Sequence, residues 1–203
     1  MQALFCLLTA YLIGSIPTGY LLVKARTGAD LRREGSGSTG ATNAGRFMQK
    51  TKGDKAARAM FLAVMAADII KGALPVLAAI ALFHNDLCSI AAAVGAVIGH
   101  SKSCFLHFKG GKSVATGWGT LLAFQPLAWL CSFILWCILT HTTKYVSVAS
   151  IAAFAVAPVL MALFGASTAQ IVYSAATAIY IIALHHQNIS RLRHGSENKT
   201  NWL

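Results

Sequence analysis

Charged side chains are scarce in this chain. Asp, Glu, Lys and Arg make up 11% of its 203 residues, where a soluble globular domain carries roughly 25%. Hydrophobic residues reach 56% and the mean hydropathy is +0.61. That leaves too little polar surface to coat a water-soluble body, so this single domain's worth of chain reads as an integral membrane protein. A net charge of +11 would suit nucleic acid, but no soluble module gathers the cations. They sit between apolar segments, which argues against a nucleic-acid partner. The five cysteines (Cys6, Cys88, Cys104, Cys131 and Cys137) include no CxxC pair and no Cys/His spacing that fits zinc. No metal and no cofactor are expected. The apolar N-terminus, Met1 to Val23, lacks a basic leading stretch and an obvious cleavage site, so it reads as a retained span.

Seven apolar segments stand out: Leu4–Val23, Ala59–Phe83, Leu87–Gly99, Val114–Phe124, Leu127–Thr140, Val146–Phe164 and Thr168–Leu184. With the N-terminus outside, the outer pieces carry no Lys or Arg. The inner pieces, 24–58, 100–113, 141–145 and the tail 185–203, hold 16 of the 17 Lys and Arg, the exception being Lys71. Cytoplasmic loops are expected to show this bias. The expected fold is therefore an all-α membrane protein of seven transmembrane helices, one polytopic domain over 1–203 with a cytoplasmic C-terminus. A five-span alternative leaves Lys144 outside and makes one run of Val146–Leu184, too long for a single crossing. Several segments fall short of the ~20 residues a simple span needs. Either they extend into the loops, or the membrane thins there, or the active region is a shallow depression. Asp68 and Lys71, three apart in the second segment, share a face in an apolar setting where charges serve function or helix-to-helix glue.

Two nucleotide signatures are incomplete. Gly35-x-Gly37-x-x-Gly40 has no preceding strand or βαβ unit to make it a dinucleotide site. Gly111-Lys112-Ser113 lacks the earlier Walker glycine, since residue 106 is Leu.

What the polar stretches do contain suits phosphate. In Gly35–Arg46, glycines permit a tight nest of backbone N–H groups, and Arg46 adds a fork-shaped cation. Composition alone also fits a flexible linker. Lys109 and Lys112 flank Gly110-Gly111 before an apolar helix, a place for an anion as well as for topogenic lysines. In the tail, His185, Asn188 and Arg191 or Leu192 share a face if the last helix continues, with Glu197 following.

These three stretches read GSGSTGATNAGR, GHSKSCFLHFKGGKSVAT and HHQNISRLRHGSE. They resemble, in order, the GSGNxGATNxxR, GHxFPxFxxFKGGKGVAT and HxxNIxRLxxGxE motifs of the bacterial acyl-phosphate:glycerol-3-phosphate acyltransferases (the PlsY family). Asp-Ile-Ile-Lys-Gly-Ala-Leu-Pro in the second segment and Lys-Tyr-Val-Ser before the sixth also resemble it. Ser38, Lys102, Ser103 and Ser113 depart from the usual Asn, Phe, Pro and Gly. The resemblance implies transfer of an acyl chain from acyl phosphate to the 1-hydroxyl of glycerol 3-phosphate, giving lysophosphatidic acid and inorganic phosphate, the first step of phospholipid synthesis. It implies a bacterial inner-membrane enzyme with its active site facing the cytoplasm and its acyl tail among membrane lipid. Ser36, Gly37, Arg46, Lys109, Gly110, Gly111 and Lys112 would hold the phosphates. Asn43, His185 and Asn188 would bind or orient glycerol 3-phosphate, with Arg191 beside them and Glu197 fixing the tail against the cationic loops. His185, Asn188 and Lys109 are the catalytic candidates. An acyl phosphate is already activated, so direct attack needs no acyl-enzyme, and either His185 or a substrate phosphate oxygen would take the proton. A transporter or binder of an organic phosphate is the rival class; only Asp68 and Lys71 lie where its path would cross the midplane.

Overall fold

The structure, a computed structural model, describes all residues from Met1 to Leu203. It is all-helical: nine α-helices, two short 3-10 turns and no strand. The chain divides into two compact units, Met1–Thr120 with Trp202, and Leu121–Asn201 with Leu203.

The first unit begins with α1 (Gln2–Ser15) and α2 (Thr18–Thr27), interrupted at Ile16-Pro17. Proline has no N–H to continue the helical ladder, so the expected first span is broken here. Helix α3 (Ala41–Phe83) is nominally 43 residues long but departs from helical geometry at Gly53. Its φ of 82° is a conformation that favours glycine. The part ahead of Gly53 converts much of the expected loop 24–58 into ordered helix. Helix α4 (Asp86–Ser101) follows an Asn85 cap, whose side chain accepts from Leu87 N–H at 2.7 Å. Helix α5 (Val114–Phe124) leads out of this unit.

Small residues let these helices touch backbone to backbone. A Cβ at Gly95 or Gly99 would collide with the carbonyl of Leu7 or Tyr11 on α1, and one at Gly14 with Ala96 on α4. Likewise Gly72 on α3 meets Thr116, and Gly119 meets Ile69. Large apolar side chains point the other way: Leu8, Leu12, Leu77 and Leu82 are exposed while Ala10, Ala79, Ala92, Ala93 and Ala96 are buried. Small inside and bulky outside is the pattern of helices packed in lipid, where burial of apolar surface supplies no drive to associate.

The second unit holds α6 (Pro126–Thr143), α7 (Val146–Leu163), α8 (Thr168–Leu184) and the short α9 (His186–Arg193). Proline opens α6, where its missing N–H costs nothing. Lys144 ends it in a left-handed turn (φ 63°), so α7 reverses direction beside it. Trp136 Nε1 donates to Ser150 Oγ at 3.1 Å across that pair.

All seven apolar segments are thus helical, but the first is split at Ile16-Pro17 and the second is only the latter part of a helix that starts at Ala41. Four stretches are long and apolar enough to cross a membrane: Gln2–Thr27, Ala41–Phe83, Pro126–Thr143 and Val146–Leu163. A fifth is Thr168–Leu184 with its continuation His186–Arg193, bent by 56°. Helices α4 and α5, with 16 and 11 residues, extend only about 24 Å and about 17 Å. The structure therefore supports an all-helical membrane protein of four or five clear spans. The cysteines form no disulfide; Cys6 and Cys88 are buried, Cys104 is partly buried, and Cys131 and Cys137 lie on the exposed face of α6.

Candidate functional site

Between α2 and α3 the chain makes a 3-10 turn, Leu31–Arg33, capped by Asp30. The Asp30 carboxylate grips Arg32 at both oxygens, Nε to Oδ1 at 2.9 Å and Nη2 to Oδ2 at 2.6 Å. That bidentate hydrogen bonding holds the Asp30 carboxyl down at about 2. Arg32 also lies over the Tyr20 ring, 5.0 Å from its centroid. The glycine-rich stretch is then stapled by Asn43. Its Nδ2 donates to Glu34 O at 3.0 Å and to Ser38 O at 2.8 Å, and its Oδ1 accepts from Ser36 N–H at 3.2 Å. With Gly35 and Gly37 at positive φ, the loop is an ordered turn ahead of α3 and not a linker.

The lysine loop, 102–113, is anchored by hydroxyl groups. Tyr11 Oη donates to Lys102 O at 2.8 Å, and Ser103 Oγ to Ser15 O at 2.6 Å. Ser113 has φ 58°, a strained value for a residue with a side chain. Its buried Oγ donates to Val97 O at 2.7 Å. Ser103 and Ser113, two departures from the family motif, are therefore working parts of the loop. Gly111 N–H donates to His100 O at 3.1 Å.

The two loops line a half-open cavity of about 510 Å³. Ser36, Gly37, Lys109 and Gly110 line it, together with Arg33, Arg32, His107, Asp30, Thr39 and Leu106. Three permanent cations among those walls, against one carboxylate already engaged by Arg32, give a cavity suited to a small polyanion.

In the second unit the last helices build a polar cluster. Helix α8 ends at Leu184 and α9 starts at His186, so His185 sits at the bend. Buried His185 places Nδ1 2.8 Å from Ile181 O. A carbonyl only accepts, so Nδ1 carries a proton and the ring nitrogen that could act as a base is Nε2. Glu197, with its side chain 3% exposed, accepts from Ser147 Oγ at 3.0 Å, Asn188 Nδ2 at 2.7 Å and Arg191 Nε at 2.7 Å. Burial pushes its carboxyl up, but these three donors outweigh burial and hold it below the usual glutamate range.

Residues 4–195 match the family model described as glycerol-3-phosphate acyltransferase. A glycerol-3-phosphate acyltransferase of Synechococcus sp. (strain JA-3-3Ab) is 44% identical over 97% of this chain and 93% of its own. That of Syntrophotalea carbinolica is 41% identical over 95% of each. The chain belongs to the glycerol-3-phosphate acyltransferase family. The solved structure of PlsY (YgiH), an integral membrane glycerol 3-phosphate acyltransferase in its glycerol 3-phosphate form, superposes with a TM-score of 0.87. It is 33% identical, over 99% of this chain and 96% of that one. The lysophosphatidic acid form of PlsY gives 0.84 at 31% identity, over 100% and 97%. By family this chain is an acyltransferase enzyme, and by fold and composition a bacterial membrane protein.

Set against the family motifs, the structure divides the expected residues. Ser36, Gly37, Lys109 and Gly110 share the cavity wall; Arg46 and Lys112 are not part of that wall. The hydrogen bonds of Asn43 hold its own loop, and Gly111 N–H is committed to His100 O. Asn188 and Arg191, one turn apart on α9, do converge on Glu197, while His185 lies ahead of them at the bend. Glu197 fastens the tail to Asn188, Arg191 and Ser147. Sequence reasoning missed Arg32, Arg33, Thr39 and His107. The adjacent Arg32-Arg33 just ahead of the glycine motif was the available signal, but it reads as topogenic charge until the 3-10 turn aims it.

Proposed function

We propose that this family member transfers an acyl chain from acyl phosphate to the 1-hydroxyl of glycerol 3-phosphate, releasing inorganic phosphate and forming lysophosphatidic acid. The observation that carries this reading is the cation-walled cavity of the first unit. It is matched to a fold whose solved relative is described in glycerol 3-phosphate and lysophosphatidic acid forms. The hydroxyl oxygen of glycerol 3-phosphate attacks the acyl carbon, the bond from that carbon to the phosphate oxygen breaks, and phosphate leaves with the electron pair. Ser36, Gly37, Lys109 and Gly110 hold phosphate, with Arg46 and Lys112 adding positive potential. Asn188, turned by its bond to Glu197, orients glycerol 3-phosphate, and Arg191 completes that cluster. The hydroxyl proton passes to Nε2 of His185 or to a phosphate oxygen, and His185→Gln decides between them. A kcat reduced about 100-fold or more assigns the base to His185; a nearly unchanged kcat assigns it to the substrate.

We further infer seven crossings with the N-terminus outside, α4 and α5 being short spans and the three motif stretches facing the cytoplasm, where glycerol 3-phosphate is soluble. The Lys and Arg distribution supports this topology. The acyl chain would run among the exposed apolar faces in the lipid.

The direct test supplies palmitoyl phosphate and glycerol 3-phosphate to the protein in lipid. Formation of lysophosphatidic acid only when both are present supports the reading; its absence from a folded, lipid-embedded protein overturns it.

A further inference from the structure

The buried charges of the first unit lie beneath the lysine loop. Asp68 and Lys71 are 1% and 6% exposed. Lys71 Nζ stands 2.8 Å from Asp68 Oδ1 and also donates to Ile16 O at 2.8 Å, a carbonyl at the break between α1 and α2. Thr18 Oγ1, just past that break, donates to the same Asp68 oxygen. His100 Nδ1 lies 3.7 Å from it, beyond hydrogen-bond length but within electrostatic reach. Across the imidazole, Nε2 faces Gly111: a Cβ there would collide with it, and a Cβ at Gly110 would collide with His100 O. The His100 carbonyl also takes the Gly111 N–H. The Gly110-Gly111 backbone therefore rests on His100, with the Ser101 backbone also against Gly110, and a buried carboxylate lies behind the His100 ring.

A buried ion pair is poor evidence of stabilisation, because apolar residues of similar volume commonly do as well. In an apolar helix the pair calls for another use. None of Asp68, Lys71 and His100 lines the cavity, so any effect on phosphate must pass through the loop.

We propose that Asp68, Lys71 and His100 are positioning residues for the transfer reaction. Held by Lys71 and Thr18, the carboxylate lies against the Nδ1 edge of the His100 ring and, without a hydrogen bond to it, limits where the ring can sit. The ring sets the place of Gly110-Gly111 and hence of Lys109 in the cavity wall. This rests on the reading of that cavity as the phosphate site.

The test uses the full chain in lipid, with kcat, the KM for each substrate, thermal stability, and the Kd for inorganic phosphate measured on wild type, His100→Ala, Gly111→Ala and the double variant. His100→Ala is expected to raise the KM of at least one phosphate substrate, and the phosphate Kd, about 10-fold or more, with kcat changed much less and the melting temperature kept. Gly111→Ala alone forces a methyl against the ring and produces a similar loss. In the His100→Ala background that methyl meets no ring, so the two losses do not multiply. Should His100→Ala not fold, His100→Asn is read in the same way, and Asp68→Leu with Lys71→Met removes the pair without leaving a lone charge. KM and Kd values within twofold of wild type, or losses that multiply, overturn the proposal. A wild type that binds phosphate but never turns over overturns the acyl-transfer reading instead, and the Kd series still decides the positioning question.

Discussion

Ser113 shows how one atom rescues a position built for glycine. Its left-handed backbone is disfavoured by about 1 kcal/mol for any side chain, and a buried hydroxyl-to-carbonyl bond to Val97 returns about the same. Ser113→Gly is therefore expected to leave stability within about 1 kcal/mol of wild type. Ser113→Ala keeps the strain without the bond and lowers it by about 1–2 kcal/mol, read from unfolding in detergent. Glu197 makes a different prediction. Its folded carboxyl titrates below the usual glutamate range, so its stabilising contribution is complete above that range and fades as pH falls through the depressed value. Glu197→Gln should destabilise by about 1–3 kcal/mol at neutral pH. The gap from wild type should close on acidification; a gap independent of pH would contradict the charge-based reading. Trp202 is the residue least visible in the sequence. It is 1% exposed, seated against Gly45 and edge-on to Phe61 with ring centroids 5.7 Å apart, while Arg58 Nε donates to its carbonyl at 2.6 Å. Trp202→Ala is expected to cost about 3–5 kcal/mol, a typical value for emptying a buried aromatic site.

At the level of elements, apolar runs and polar breaks marked the apolar helices because both are local signals. Val114–Phe124 was readable to the residue, and Val146 and Thr168 start helices where the sequence placed them. What escaped is what depends on distant partners or on one unusual torsion. The break at Ile16-Pro17 was legible in Gly14-Ser15-Ile16-Pro17-Thr18-Gly19 yet was not read as one, and nothing local showed that its carbonyl finds Lys71, 55 residues away. The helix ahead of Gly53 lies in a stretch whose glycines and charges suggest loop. Asp68 and Lys71 do pair inside the bundle, as their spacing suggested, but nothing local named Thr18 or His100 as their neighbours. Gly95 and Gly99, four apart, were legible as a small-residue face yet were not read as one. They allow α4 to meet α1 at backbone distance, so Gly95→Leu should push the helices apart. It is expected to lower stability by about 1–3 kcal/mol or more in a detergent-unfolding series, whereas Leu8→Ala, on the exposed face of α1, should cost little.

For the whole molecule, three motif stretches and a charge distribution carry the account. The motifs were legible because they keep residue type and order. Their division of labour was not, because the partners of Asn43, Gly111 and Glu197 are fixed by the fold. Labelling of single cysteines in a background lacking the native ones tests the topology: probes at His84 and Ser167 should react from outside intact cells, and a probe at Lys144 only after permeabilisation. The most direct measurement of the central claim is product formation by the lipid-embedded protein given palmitoyl phosphate and glycerol 3-phosphate, followed as inorganic phosphate and lysophosphatidic acid together. Equal amounts of both, dependent on both substrates and reduced at least about 10-fold by Lys109→Ala, are the predicted result. Phosphate released without glycerol 3-phosphate, or transfer unaffected by Lys109→Ala, would contradict the assignment of the cavity as the site where the phosphate is held.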